Sequence, residues 1–384
     1  MGFLVLIVKE PKPASFVNLG FLGLNFFVTL FSGCFGFPRA GMYCKLLLKC
    51  TLSAGSIESV CNREFESSDR LLFYMSKASV EQVKGFSCTV FKSVLKELKT
   101  YCDMSRGVWV AIDTHHVPYY GKDDCYVFRT VRRKGSRVRR VKVLKYITLS
   151  IVSRGFKYTI AALPLKNGEY LDEGVDSLLV MIKGMVRVKM VVMDKEFYNQ
   201  RVLNVVEKHG LCYLVPVKWC LELDVLYWLS RQCGKWAWPY LMSKAEDPVT
   251  GKKLTGDRKL ITVYLQEISM GEYYGYTTNR QVKRQSGGSL GNIYKLRWNI
   301  ENSYKDAENY VVKTCSKNHA YRYLLFIISH LMTDLQELAK KATRTHIQGK
   351  EMLMIFELLI IELDEEGERP RERIRLTKRL AVQL

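Results

Sequence analysis

Val108-Trp109-Val110-Ala111-Ile112-Asp113 and Lys189-Met190-Val191-Val192-Met193-Asp194 are two short apolar runs, each closed by an aspartate. A brief uninterrupted run rich in β-branched side chains is the mark of a strand buried on both faces. Between them, residues 171–185 repeat with a helical period, so the strands are joined by a crossover. The chain therefore reads as α/β, with a mixed sheet flanked by helices. Further strands are predicted over 146–153 and 158–165, joined at Arg154-Gly155, and over 211–217, with a helix over 195–209. Residues 219–276 break this rhythm. They hold four of the six tryptophans (Trp219, Trp228, Trp236, Trp238), a Pro248-Val249-Thr250-Gly251 turn and a strand-like stretch at 260–267. They read as a β-rich insertion.

On the amino-terminal side, residues 42–106 read as a helical domain, with helices at 56–63, 67–75 and 79–102. Ser79 with Gln82 makes the last one a capping-box start. Two short helices with a tight connection form either a helix-turn-helix for a DNA groove or a small packed bundle. Residues 16–37 carry no charge and are long enough to count as a membrane-span candidate, and Leu30-Phe31-Ser32-Gly33-Cys34 resembles a lipoprotein cleavage box. The segment has glycines and no basic lead-in. Residues 1–41 are accordingly taken as an apolar extension, with Met42 as the natural start. Past a glycine link at Gly287-Gly288, helices are expected over 292–311, 319–343 and 351–364, then a charged tail. Residues 107–218 and 277–345 would form the core, and 346–384 a terminal helix and tail.

The 384 residues include 59 Lys and Arg against 38 Asp and Glu, a formal net charge of +21. With 48% hydrophobic residues the chain can bury a large core, which excludes wholesale disorder. The charge points to a polyanion or an anionic membrane surface, and the cations are not arranged as an amphipathic anchor. The 11 cysteines are scattered without a C-x-x-C pair, which suits a reducing cytoplasm rather than a disulfide framework or a zinc site. Residues 129–145 contain Arg129, Arg132, Arg133, Lys134, Arg137, Arg139, Arg140, Lys142 and Lys145 and no acid. Such single-sign density reads as a phosphate-contacting ribbon. Trp236 and Trp238 either stack on an unpaired base or fill the insertion's own core.

In open α/β sheets, ligands bind at the carboxyl ends of the strands, so Asp113 and Asp194 are candidate site residues. Each alone would be read as a turn or helix cap. The helix expected from Asn292 supplies a third acid. At about 100° per residue Tyr294, Arg297, Glu301 and Lys305 share an arc of about 80°. A solvated face seldom needs that set of side chains.

Four motifs together resemble the DDE transposases of prokaryotic insertion sequences, in particular the large family numbered four with its Y-R-E signature and an archaeal flavour. They are Ala111-Ile112-Asp113-Thr114-His115-His116-Val117-Pro118-Tyr119-Tyr120-Gly121, Val191-Val192-Met193-Asp194-Lys195-Glu196-Phe197-Tyr198, Tyr276-Thr277-Thr278-Asn279-Arg280 and Tyr294-x-x-Arg297-Trp298-x-Ile300-Glu301. The resemblance spans residues 107–343. It implies a ribonuclease-H-like core and a site in which Asp113, Asp194 and Glu301 hold two Mg²⁺ or Mn²⁺ ions. Tyr294, Arg297 and Lys305 would contact DNA, as would Arg132, Arg133, Lys134, Arg137, Arg139, Arg140 and Lys142. The partners implied are double-stranded DNA, as terminal inverted repeats and target, and a second copy of the chain, in a nucleoid-associated cytoplasmic setting.

One position departs from the pattern. The family signature carries a lysine seven residues after its glutamate, where this chain has Glu308. Lys305 would take the contact, with Lys313 a weaker substitute, or this copy is impaired. A DNA-binding remnant that represses, or a nuclease of the same fold, are the competing readings, and inverted repeats beside the gene would separate them from a working transposase. His115 and His116 have no required counterpart. Glu196 and Asp306 are the alternatives to the assigned acids, each less favoured than Asp113, Asp194 and Glu301.

Overall fold

The computed structural model describes residues 27–343 except 29, 38–39, 54, 65–67, 135–136, 154–156, 244–252, 254–257, 270–271 and 283–286. The helix expected over 351–364, the tail and the first 26 residues lie outside the described residues, as does the Arg154-Gly155 connection. The chain divides into two compact units, Asp103–Lys305 and Met1–Cys102 with Asp306–Leu384.

The amino-terminal helices are α1 (Ala40–Leu52), α2 (Ile57–Glu64), α3 (Ser68–Lys77) and α4 (Val80–Tyr101). Helix α4 starts with a reciprocal cap: Gln82 N–H donates to Ser79 Oγ at 3.1 Å, and Ser79 N–H donates to Gln82 Oε1 at 2.9 Å. Its apolar stripe of Val83, Phe86, Val90, Phe91, Leu95 and Leu98 is buried. Phe27, Phe31 and Phe35, one helical turn apart, all set their rings against Phe86. The end of the stretch taken as an extension is thus packed core. Ser79→Ala should cost about 1 kcal/mol, because the Gln82 N–H loses its acceptor at the helix start. A urea midpoint that falls without a change in slope would report it.

The second unit is built on one sheet of β1 (Val108–Pro118), β2 (Val127–Lys134), β3 (Arg137–Ile151), β4 (Tyr158–Pro164), β5 (Val188–Met193), β6 (Tyr213–Pro216), β7 (Ala237–Leu241), β8 (Leu260–Ser269) and β9 (Glu272–Thr277). The strand order is β2-β3-β1-β5-β6-β9-β8-β7, with β4 also paired to β3. The β1–β5 and β5–β6 pairs are parallel and the others antiparallel, which makes the sheet mixed. The basic ribbon is the β2–β3 hairpin. Its register sets Arg129 opposite Lys142, Arg132 opposite Arg139 and Lys134 opposite Arg137.

Helices α5 (Leu171–Ile182) and α6 (Gln200–Lys208) flank the parallel strands. The segment 219–276 contains a helix, α7 (Leu221–Cys233), before its three strands. Those strands extend the central sheet, since β9 pairs with β6 through Val215–Thr277 and Pro216–Tyr276. Two more helices follow, α8 (Gly287–Lys295) and α9 (Trp298–Glu308). The Gly287-Gly288 pair expected as a link opens α8 instead.

The last described helix, α10 (His319–Thr343), groups with the amino-terminal helices rather than with the sheet, although 277–345 had been expected with the core. Tyr323 Oη lies 3.4 Å from Ser87 Oγ of α4, and Asn318 donates to Ser76 O at 3.3 Å. Among the described residues no helix is long and apolar enough to cross a membrane.

Candidate active site

Parallel pairing of β1 and β5 sets Ile112 beside Met193, so the next residue on each strand is one of the two aspartates. Strand β5 ends there, whereas β1 continues to Pro118 on its ladder with β3, where Asp113 pairs with Thr148. Asp113 therefore sits within its strand, beside the gap that β5 leaves, and not at the strand's end as expected. Asp194 Oδ1 accepts from Lys195 N–H at 2.6 Å and opens a single tight turn, Lys195–Phe197. The helix expected over 195–209 is broken there. It restarts only at α6, where Asn199 accepts from Arg201 N–H at 2.8 Å.

The helix expected over 292–311 is also two elements, α8 and α9. Between them the backbone tightens to bonds three residues apart, with Arg297 N–H donating to Tyr294 O and Ile300 N–H to Arg297 O, both at 2.9 Å. Tyr294 thus ends one helix, Arg297 occupies the turn and Glu301 begins the next. The single arc drawn for a continuous helix does not apply, yet Tyr294 and Arg297 still reach the aspartates and Glu301 meets Arg297. A short tight stretch within a helical segment commonly marks a working position.

The junction points Arg297 inward, 8% exposed. Its Nη1 donates to Asp113 Oδ2 at 3.1 Å and its Nη2 to Glu301 Oε1 at 2.6 Å. Tyr294 Oη donates to Asp194 Oδ1 at 3.2 Å, and the guanidinium lies 5.6 Å from the Tyr294 ring centre. One arginine and one tyrosine therefore tie together all three acids. The fork expected to grip a phosphate is committed to carboxylates.

Burial pushes the Asp113 carboxyl up to about 7; Arg297 and the Thr114 N–H oppose the rise, while Asp194 and Glu301 add to it. Burial works against the Arg297 charge, but Tyr294, Asp113, Asp194 and Glu301 outweigh it and hold the guanidinium more firmly protonated than usual. Two carboxylates on one guanidinium, with a third held by Tyr294, are a hard-oxygen set with surplus negative charge, and that suits a divalent cation such as Mg²⁺ or Mn²⁺. Among the described residues no three His, Cys, Asp or Glu side chains converge on one point. The donor chemistry fits, and the arrangement is closed on Arg297.

Several neighbours were not foreseen. Tyr304, one turn past Glu301, is buried with its hydroxyl 2.6 Å from Thr148 Oγ1 of β3. Its ring faces His115 at 4.5 Å between centroids. Burial and His116 push His115 down to about 4, so it stays neutral near pH 7. An alternating strand and a helix spacing of three would have suggested the contact only once β3 and α9 were known to be adjacent. Tyr304→Phe should cost about 1–3 kcal/mol by leaving the buried Thr148 hydroxyl without that partner, read as a fall in thermal midpoint.

Glu196, weighed as a substitute acid, accepts from Thr114 Oγ1 at 2.8 Å and from Lys145 Nζ at 3.2 Å. It braces β1 against β3. Lys142 is held by Gly121 O at 3.0 Å and Asp123 Oδ1 at 3.1 Å. Arg139, Arg140, Lys305 and Glu308 are exposed, while the side chains of Arg132, Arg133, Lys134 and Arg137 lie outside the described ones. Trp238 donates to Ser230 Oγ at 2.7 Å, and Trp236 lies against Tyr227 at 6.2 Å between centroids, both within 219–276.

Residues 169–330 match the family model described as a transposase DDE domain. Asp194 and Glu301 fall inside that span and Asp113 before it. No curated protein matches the chain. Among solved structures, a piggyBac transposase in a synaptic complex with hairpin DNA, determined by cryo-EM, is similar at a TM-score of 0.50 and 10% identity, over 98% of this chain and 86% of that one. At that identity the likeness is one of fold, a ribonuclease-H-like mixed sheet flanked by helices.

Proposed function

We propose that this chain is a DDE transposase that cuts DNA at the ends of an insertion sequence and joins the freed end to a target. The observation that carries the reading is the meeting of Asp113, Asp194 and Glu301 through Arg297 and Tyr294, within a fold shared with a transposase. Asp113, Asp194 and Glu301 would hold two Mg²⁺ or Mn²⁺ ions, which neutralise charge on the attacking and leaving oxygens of an in-line displacement. Water attacks phosphorus and the P–O3′ bond breaks, leaving a 3′-hydroxyl and a 5′-phosphate. The 3′-hydroxyl then attacks a target phosphodiester and displaces its 3′ oxygen.

The chain's own residues position this chemistry. Asp113 is carried by β1, Asp194 by the turn that directly follows its neighbour β5 and Glu301 by the first turn of α9, so their spacing rests on rigid elements. Tyr294 orients Asp194, and Arg297 orients Asp113 and Glu301. Once those carboxylates have another cation, the Arg297 fork is available to a phosphate. The β2–β3 ribbon carries a run of cations without an acid of its own, and a polyanion laid against it would neutralise that charge. Double-stranded DNA is that polyanion in this reading, and a second copy of the chain completes the assembly.

Glu308 supports a second reading, an impaired copy that still binds DNA. It is exposed two turns past Glu301, where the family carries lysine. Glu308→Lys should strengthen DNA binding severalfold and steepen its salt dependence by about one phosphate contact if the acid is a handicap. Unchanged binding by fluorescence anisotropy would show that Lys305 has already taken the role.

The functional test uses duplex carrying the gene's own flanking DNA, the purified chain and Mg²⁺. Cleavage at the boundary of inverted repeats supports the transposase. Cutting without joining supports a nuclease, and binding alone supports the remnant.

A further inference from the structure

The outer face of α7 is built the wrong way round for a surface helix. Its inner face is ordinary: Leu223, Tyr227 and Ser230 are buried, Tyr227 stacks on Tyr273 at 3.7 Å between centroids, and Ser230 receives the Trp238 N–H. The outer face should then be polar. Instead Leu221 is 82% exposed, Val225 57% and Trp228 60%. At about 100° per residue these three share an arc of about 60°. With the charged Asp224 and Arg231 beside them, spacings of three and four residues alternate, which is the seam of a helix that packs against another helix.

We infer that this face is where two copies of the chain meet, with α7 packed antiparallel against α7 of the second copy. Charge selects the occupant. DNA is disfavoured because Glu222 and Asp224 in the first turn repel phosphate, and an anionic membrane is disfavoured for the same reason. A second copy is favoured because the face complements itself. Asp224 and Arg231 lie equally far from the midpoint between Tyr227 and Trp228. A two-fold axis there sets Asp224 of each copy opposite Arg231 of the other, with the two Trp228 rings at the centre. Large aromatics in the middle and charges at the rim are the usual anatomy of an association surface.

Three large side chains per copy bury less than the roughly 1,600 Å² of a standard stable interface, so the contact by itself is weak, with Kd in the micromolar range. It stands whether or not the transposase reading does.

Sedimentation of the full chain without DNA, across a concentration series reaching roughly a hundred micromolar, tests the inference. The wild type should show a monomer–dimer equilibrium, and Trp228→Glu and Val225→Glu should each weaken it at least tenfold with unchanged circular dichroism. Asp224→Arg and Arg231→Asp should weaken it singly, and the double exchange should restore it. Asp224 also accepts from Tyr273 Oη at 3.0 Å, so Tyr273→Phe serves as the control and should leave the dimer intact. A wild type that stays monomeric, a dimer indifferent to Trp228→Glu, or a double exchange that fails to rescue would overturn the proposal.

Discussion

Arg297→Ala is expected to lose about 3–5 kcal/mol of folding stability in metal-free protein, the usual consequence of removing one partner of a buried ion pair. Arg297 is 8% exposed and satisfies two carboxylates at once. Its loss leaves Asp113 buried beside Asp194 and Glu301 with no cation against it. The penalty should depend on pH in a stated direction. Asp113 already sits at about 7, above its unfolded value, so its charged form is the disfavoured one. A group raised in the folded state contributes stability at low pH and loses it as pH rises through the folded value. Removing Arg297 raises that value further. The deficit relative to wild type should therefore widen from about pH 7 upward and narrow below it, measured by urea denaturation with chelator present. Arg297→Lys keeps a charge but not the fork, and should recover only part of the loss. A deficit that is flat with pH would mean that Arg297 stabilises by packing alone.

Asp113→Asn should do the opposite to stability and more to activity. It removes a desolvated charge while keeping the shape, so the metal-free fold should hold or gain. Cleavage and joining should fall by about 10³-fold or more, the scale of several kcal/mol of lost charge stabilisation. Binding offers a readout independent of turnover. An ion present at about 100 times its Kd adds about 2.7 kcal/mol to the folded state, and that gain should largely vanish in Asp113→Asn. A Mn²⁺-induced rise in thermal midpoint that survives the substitution would remove Asp113 from the ligand set.

The parts of the fold that could be read from residues were those whose cause is local. Val108–Ile112 and Met190–Met193 are too apolar and too short to be anything but buried strands, and their pairing delivered Asp113 and Asp194 together. Ser79 and Gln82 announced α4 through a cap formed three residues apart. What was missed depends on partners far along the chain. Strand β2 is hidden because its cations mask any alternation, and only the ladder to β3 makes it a strand. The break between α8 and α9 has no proline or glycine at Leu296-Arg297 to announce it. It accompanies the inward turn of Arg297 toward acids 184 residues earlier and four residues later. The β-rich expectation for 219–276 holds for its three strands but passes over helix α7, whose one tryptophan, Trp228, points outward. Asp113, Asp194 and Glu301 stand out in the sequence as candidates; that one arginine joins two of them does not.

A strand-transfer assay tests the proposed chemistry on the DNA itself. A linear duplex carrying the gene's flanking DNA is incubated with a supercoiled target plasmid, Mg²⁺ and the full chain, and the products are sequenced across their junctions. A DDE transposase should yield joined molecules in which the 3′ end of the duplex is covalently linked to target DNA, absent with chelator and absent in Asp113→Asn, Asp194→Asn and Glu301→Gln. Joined product of equal yield from any of these three variants would contradict the proposed chemistry.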